Sequence, residues 1–145
     1  MSAKPNQKKQ SRGPLVALIL ILAAVGWTVF RFGRSEQTGA FYAAQIDALN
    51  QLRGAQAAYL ATDADGDGRP DSVYAGDLSL LPDVSPGPGV GLTLVHGGAT
   101  GWAAVTRHER IDGGGCAFVT GEVPEGFATP AGQSVTLADR MYCDR

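Results

Sequence analysis

The chain has 145 residues, of which 44% are apolar and 18% charged, a composition typical of a folded domain that excludes a largely disordered protein. Its net charge of −2 is unevenly distributed along the chain, because all fourteen acidic residues fall after residue 34, together with only six arginines. Residues 35–145 therefore carry a net charge of −8, and so acidic a region is a poor candidate for binding nucleic acid.

The first element along the chain is an apolar segment behind a basic leader, residues 1–13. Residues 14–30, PLVALILILAAVGWTVF, contain no charge, and a helix of that length spans roughly 25 Å, close to the thickness of a bilayer core. The heavier cationic side of such a segment normally stays in the cytoplasm. We therefore predict a single-pass membrane helix with the N-terminus inside and the C-terminal domain outside. A cleaved secretory signal and a buried soluble helix are the alternatives. The flanking cations are Lys4, Lys8, Lys9 and Arg12 before the segment, and Arg31 and Arg34 after it.

Residues 31–61 continue the helical pattern with an amphipathic stretch rich in Ala, Leu and Gln. Two rows of side chains recur at steps of three and four. The second row is the more apolar, so we expect it to face the domain. The first row is Tyr42, Ile46, Leu49, Arg53, Gln56 and Leu60, and the second is Phe41, Ala44, Ala48, Leu52, Ala55 and Tyr59.

Residues 62–145 are predicted to form the globular part. A short helical turn near residues 72–82 should contribute three leucines to the core, and a set of β-like runs separated by glycine follows. Connections this short favour antiparallel hairpins. The predicted fold class is therefore α+β, a long N-terminal helix packed on a small antiparallel sheet. The leucines are Leu78, Leu80 and Leu81, and the strands are residues 90–96, 102–108 and 116–120, with an edge strand at 134–137.

A cluster of carboxylates follows the predicted helix. Asp63, Asp65 and Asp67, followed by Gly68, match the D-x-D-x-D-G opening of a calcium loop, and Asp71 falls at the ninth loop position. Carboxylates so close together repel one another without a cation, so we predict a structural Ca²⁺ held by these four aspartates. The loop resembles those of dockerins and thrombospondin type 3 repeats. The alternative is a solvated Asp/Gly turn that ends the helix.

Cys116 and Cys143 are the only cysteines, and both follow the predicted membrane segment. In an oxidising compartment such a pair is most simply a disulfide. Two free thiols, or a zinc site that also recruits His96 and His108, are the alternatives. The two histidines lie near strand ends with no nucleophile beside them, so the sequence predicts neither an enzyme nor a small-molecule substrate.

The order of these parts resembles a type IV pilin or a type II secretion pseudopilin: a basic leader ending in glycine, a membrane helix running into an amphipathic helix, a small sheet and a C-terminal cysteine pair. The residues similar to short bacterial pilin-like proteins are Gly101-Trp102-Ala103-Ala104 leading to His108, then Cys116, and the final Cys143-Asp144.

The resemblance implies a peptidase cut between Gly13 and Pro14 and storage in inner-membrane lipid, with the domain in the periplasm. Assembly would then join the chain to other pilin-like subunits through the N-terminal helix. Leu18 occupies the position where the family usually has a glutamate, and tip-type pseudopilins also lack that glutamate, which implies a minor subunit. The alternative is a monomeric membrane-tethered binding or sensor module with a calcium-stabilised loop.

Overall fold

The computed structural model describes residues 13–63, 70 and 72–144, and within helix α1 it leaves the side chains of residues 13–15 and 31–35 undescribed. The chain divides into two compact units, residues 1–37 and 38–145. The second unit contains a four-stranded antiparallel sheet with the C-terminal part of α1 packed on it. The α+β fold class is therefore confirmed.

Helix α1 (Gly13–Leu60) covers both stretches for which the sequence predicts a helix. It ends in a tightened turn, because the Ala61 N–H donates to the Ala58 carbonyl at 3.1 Å and the Thr62 N–H donates to the Tyr59 carbonyl at 2.9 Å. The Thr62 hydroxyl donates to the same Tyr59 oxygen at 2.6 Å. These bonds satisfy carbonyls that the end of the helix leaves without an intrahelical partner.

The face of α1 that packs on the sheet lies between the two predicted rows. Its centre is Gln45, Leu49, Leu52 and Gln56, each 0% exposed. Every member of the second row is buried or half-buried, so the expectation that this row faces the domain is confirmed. Leu49 and Gln56 of the first row are buried as well. A helix buries an apolar stripe at least 100° wide, which takes in parts of both rows.

The sheet consists of β1 (Val90–Gly98), β2 (Gly101–His108), β3 (Gly115–Gly121) and β4 (Tyr142–Cys143). The strands lie in this order across the sheet, and neighbouring strands are antiparallel. Its first three strands agree with the three predicted ones. The start of β2 requires glycine because β3 approaches it closely: a Cβ on Gly101, whose φ is +151°, would lie 2.0 Å from the carbonyl oxygen of Thr120 in β3.

The edge strand predicted at residues 134–137 is wrong, because the strand beside β3 is β4. Ser134 forms only an isolated bridge with Ala128, and the Val135 N–H donates to the Phe127 carbonyl at 3.0 Å. Turns on both sides of Phe127 fold this segment over one face of the sheet. There Phe127 and Val135 complete a buried cluster with Ala103, Ala117 and Val119.

The opposite face of β2 and β3 packs on α1. Trp102, 2% exposed, lies against Phe118 with ring centroids 5.2 Å apart. Leu49 and Leu52 of α1 belong to the same cluster. The two central strands are therefore covered on both faces, by α1 on one and by residues 123–135 on the other.

The predicted helical turn is a short 3₁₀ helix, η1 (Leu78–Leu80). The carboxylate of Asp77 caps it by accepting the Ser79 N–H at 2.7 Å. Leu81 is buried and Leu78 packs partly against the core, but Leu80 is 48% exposed, so its assignment to the core was wrong. A turn of only three residues points its successive side chains in different directions, and one of the leucines faces outward.

Candidate functional site

Most of the exposed large apolar side chains among the described residues lie in α1 between residue 16 and residue 30. These ten side chains are between 53% and 67% exposed. The consecutive residues 18–22 are all among them, and because each helical residue turns by about 100°, they point to every side of the helix. A contiguous apolar surface of this kind marks a site of contact with another protein or with lipid.

The polar groups of this stretch are few. The Thr28 hydroxyl donates to the Val25 carbonyl at 2.8 Å, so its hydrogen bond is made within the helix. A hydroxyl paired in this way is compatible with apolar surroundings. In this part of α1 the structure describes the side chains of residues 16–30. Within the described residues, no helix is both long enough and apolar enough to span a membrane.

The predicted calcium loop is described at one of its four aspartates. Asp63 is exposed immediately after the end of α1, whereas Asp65, Asp67 and Asp71 lie outside the described residues. No group of three or more His, Cys, Asp or Glu that could hold a metal ion occurs among the residues that are described. The calcium site therefore stays a prediction from the sequence.

Both ends of that loop are held in place by the domain. On its C-terminal side, the Tyr74 N–H donates to the Gly98 carbonyl at 3.1 Å. The buried amide of Gln56 makes two bonds to Ala75, accepting its N–H at 2.8 Å and donating to its carbonyl at 3.0 Å.

The predicted disulfide is confirmed, and it joins Cys116 of β3 to Cys143 of β4. The two residues are partners in the register of these strands. Because both thiols are consumed, the alternatives of free cysteines and of a zinc site are excluded. The bond ties the C-terminal end of the chain to an internal strand of the sheet.

Asp144 forms a second attachment of the C-terminal end, and sequence reasoning missed it. Its carboxylate accepts the Gly115 N–H at 3.0 Å, the Ala131 N–H at 2.9 Å and the Thr129 hydroxyl. Asp144 is 8% exposed, so these bonds satisfy a largely buried charge. The signal available in the sequence was the adjacency of Asp144 to Cys143, which brings it to the same strand edge.

The two histidines have different environments. His108 is 6% exposed, its Nδ1 accepts the Arg110 N–H at 3.1 Å, and its ring stacks on Phe41 with centroids 4.3 Å apart. His96 is exposed on β1. These contacts give His108 a structural role, holding the end of β2 against α1.

A groove of about 760 Å³ lies between α1 and the C-terminal segment. Tyr42 and Ile46 line one side of it, and Arg140 and Tyr142 line the other. The hydrogen bond with Thr136 holds the pKa of Tyr142 below its ordinary value. The groove therefore combines apolar walls, one cation and a polarised hydroxyl.

Comparison with protein-family models, with curated proteins and with solved structures yields no match for this chain. Its function is therefore argued from its own residues.

Proposed function

We propose that this protein is a non-enzymatic pilin-like or pseudopilin subunit, of the minor type, in a type IV pilus or a type II secretion filament. The observation that carries the proposal is the apolar surface of residues 16–30, which is exposed on every side of α1. The same helix continues into an amphipathic stretch packed on an antiparallel sheet, and this order of parts supports the family resemblance.

The mechanism of such a subunit is an exchange of apolar surroundings. Residues 14–30 are first covered by inner-membrane lipid and then by the corresponding helices of neighbouring subunits. The exchange requires little net free energy, because lipid chains and leucine-rich helices are similarly apolar and packing decides between them. A paired Thr28 hydroxyl suits either environment.

The domain would remain outside the membrane, in the periplasm or on the filament. The disulfide between Cys116 and Cys143 suits an oxidising compartment of that kind. The predicted Ca²⁺ loop, Asp63 to Asp71, would stiffen the connection between α1 and the sheet at the millimolar calcium concentrations found outside cells.

A second function, a monomeric membrane-tethered binding module, is favoured by the groove between α1 and the C-terminal segment. Its mixed lining of apolar side chains, Arg140 and Tyr142 is of the kind that holds small ligands. In such a module the leader would stay attached as part of a permanent anchor.

The N-terminus of the protein recovered from membranes separates the two functions. Intact-mass spectrometry should find a chain that begins at Pro14 if a pilin-type peptidase has removed the leader. The matched variant Gly13→Leu replaces the small residue before the cut by a large one. Cleavage should then fail, and the chain should retain Lys4 to Arg12. If the unmodified chain also retains these cations, the tethered module becomes the better proposal.

A further inference from the structure

The outer edge of β1 presents unpaired main-chain groups. β1 is an edge strand of the sheet, with β2 on one side only. The register of the ladder and the bond from the Glu109 N–H to the Gly89 carbonyl, 2.9 Å, fix which residues face β2. Hydrogen-bonded pairs alternate in an antiparallel ladder, so Gly91 and Thr93 bond to β2, and the main-chain groups of Val90, Leu92 and Leu94 point away from it.

Part of this edge is already used by the chain itself. The Val90 N–H donates to the Gly87 carbonyl at 3.1 Å, and beyond the bulge between Leu94 and His96 the Gly98 carbonyl accepts the Tyr74 N–H. The unpaired groups in between, among the described residues, are the Val90 carbonyl, both groups of Leu92 and both groups of Leu94. A main-chain edge of this kind is a template for pairing with another strand.

The usual protections of an edge strand do not occur between residues 90 and 95. This stretch, VGLTLV, contains no charged residue and no proline. Gly91 and the side chains of Thr93 and Val95 are exposed on one face, and the side chains of Leu92 and Leu94 are half-buried towards α1. The bulge at Val95 bends the strand on the C-terminal side of the unpaired main-chain groups, so it does not protect them.

We propose that this edge binds the same edge of a second copy of the chain, antiparallel about a two-fold axis at Leu92. The Leu92 N–H of each copy then donates to the Leu92 carbonyl of the other, and each Leu94 N–H donates to the Val90 carbonyl of the other. In this register the unpaired main-chain groups of one copy are complementary to the same groups of the other copy, as an isologous contact requires. A register centred on Thr93 would instead need the Leu94 carbonyl, which belongs to the bulged peptide.

This pairing places Gly91 of one copy beside Thr93 of the other, at a non-hydrogen-bonded position where Cα atoms lie about 4.5 Å apart. Cys116 and Cys143 occupy the same kind of position, with a Cα distance of 4.1 Å, and they form a disulfide. Both new positions tolerate a cysteine, because Thr93 is exposed and a Cβ on Gly91 would meet only the Arg107 carbonyl at 3.9 Å. The inference goes beyond the proposed function, since helix assembly does not set a strand register.

The test uses two full-length variants, Gly91→Cys and Thr93→Cys, purified in dodecyl maltoside micelles and oxidised separately or after mixing in equal amounts. The native thiols are already joined, so only the introduced ones can react. The mixture should give a crosslinked dimer with a yield about tenfold above that of either variant alone. Adding Leu92→Pro to both chains removes the central donors but no bond to β2, and the yield should fall by about tenfold.

A mixture of Thr93→Cys with Leu137→Cys is the matched control. Leu137 is 54% exposed and lies in the segment beside β4, at the other end of the strand order, so this mixture should give only the background yield. Equal crosslinking by the mixture and by the single variants would overturn the proposed register. A mixture that gives no more dimer than the control would overturn the contact between the β1 edges. This result would not depend on whether subunits assemble through α1.

Discussion

The two buried glutamines of α1 provide a matched pair of substitutions whose effects on stability should have opposite signs. Gln45 and Gln56 are both 0% exposed on the same face of the helix. The amide of Gln56 makes two hydrogen bonds to the main chain of Ala75, which is itself 1% exposed. Among the residues that the structure describes, neither the nitrogen nor the oxygen of the Gln45 amide has a hydrogen-bond partner. Methionine has nearly the shape of glutamine without its polar atoms, so it isolates the contribution of the amide.

Gln56→Met leaves the N–H and the carbonyl of Ala75 buried and unpaired. Each such group costs about 1–3 kcal/mol, so the loss of both partners should lower the free energy of unfolding by about 2–6 kcal/mol. Gln45→Met removes an amide that is buried without hydrogen bonds to replace those it would make with water. This substitution should raise the free energy of unfolding by about 1–2 kcal/mol. At roughly 4 °C per kcal/mol, the two melting temperatures should move in opposite directions by clearly measurable amounts.

Denaturation of the full chain in a mild detergent, followed by tryptophan fluorescence, measures both effects. Trp102 is 2% exposed and reports on the core, whereas Trp27 is 66% exposed, so a Trp27→Phe background removes the second signal. The reasoning is refuted if Gln45→Met destabilises the protein by more than about 1 kcal/mol, because the amide of Gln45 must then have a partner. It is also refuted if Gln56→Met leaves the stability unchanged.

Four further predictions concern the rest of the domain. Replacing Cys116 and Cys143 together by alanine should lower the free energy of unfolding by about 3–4 kcal/mol in urea titrations, and a reducing agent should then have no further effect. Asp144→Asn should cost about 2 kcal/mol in the same assay, whereas the exposed control Asp83→Asn should change little, and equal effects would contradict the role given to the Asp144 carboxylate. The backbone hydrogen bond from Ser79 holds the pKa of Asp77 below its ordinary value of 3.8, so the stabilisation it gives is complete above that pH and is lost as the pH falls further. The melting temperatures of the unmodified chain and of Asp77→Asn should therefore differ at pH 7 and converge as the pH falls through the lowered pKa of Asp77; a constant difference would contradict the cap. About 10 mM Ca²⁺ should stabilise the chain by about 1.4 kcal/mol for a dissociation constant near 1 mM, and Asp65→Asn combined with Asp67→Asn should abolish the effect; a calcium response that survives these changes would place the ion elsewhere.

The features that the sequence predicted well are those set by local pattern. The glycine-separated runs at residues 90–120 gave the three main strands, because hairpins with short connections leave few other pairings. The helical stretches were equally plain from their composition. The cysteine pair followed from simple counting, since two cysteines permit one intrachain disulfide.

The features that it missed depend on long-range contacts. Gln45 and Gln56 have the same side chain, yet Gln56 is paired with Ala75 and Gln45 has no partner within the described part of the chain, and nothing local distinguishes them. Asp144 reaches groups thirteen to twenty-nine positions away, so its role exists only in the folded domain. Residues 134–137 alternate like a strand, but the neighbouring turns place them on a face of the sheet.

The central claim is that residues 16–30 of α1 join subunits to one another. A variant with Leu20→Cys and Leu22→Cys tests it most directly, because residues two apart point to nearly opposite sides of a helix and both side chains are more than 60% exposed. Oxidation in membranes should give a ladder of dimers, trimers and higher species on a non-reducing gel. The single variant Leu20→Cys should stop at dimers. A double variant that remains monomeric in membranes would contradict assembly through this helix.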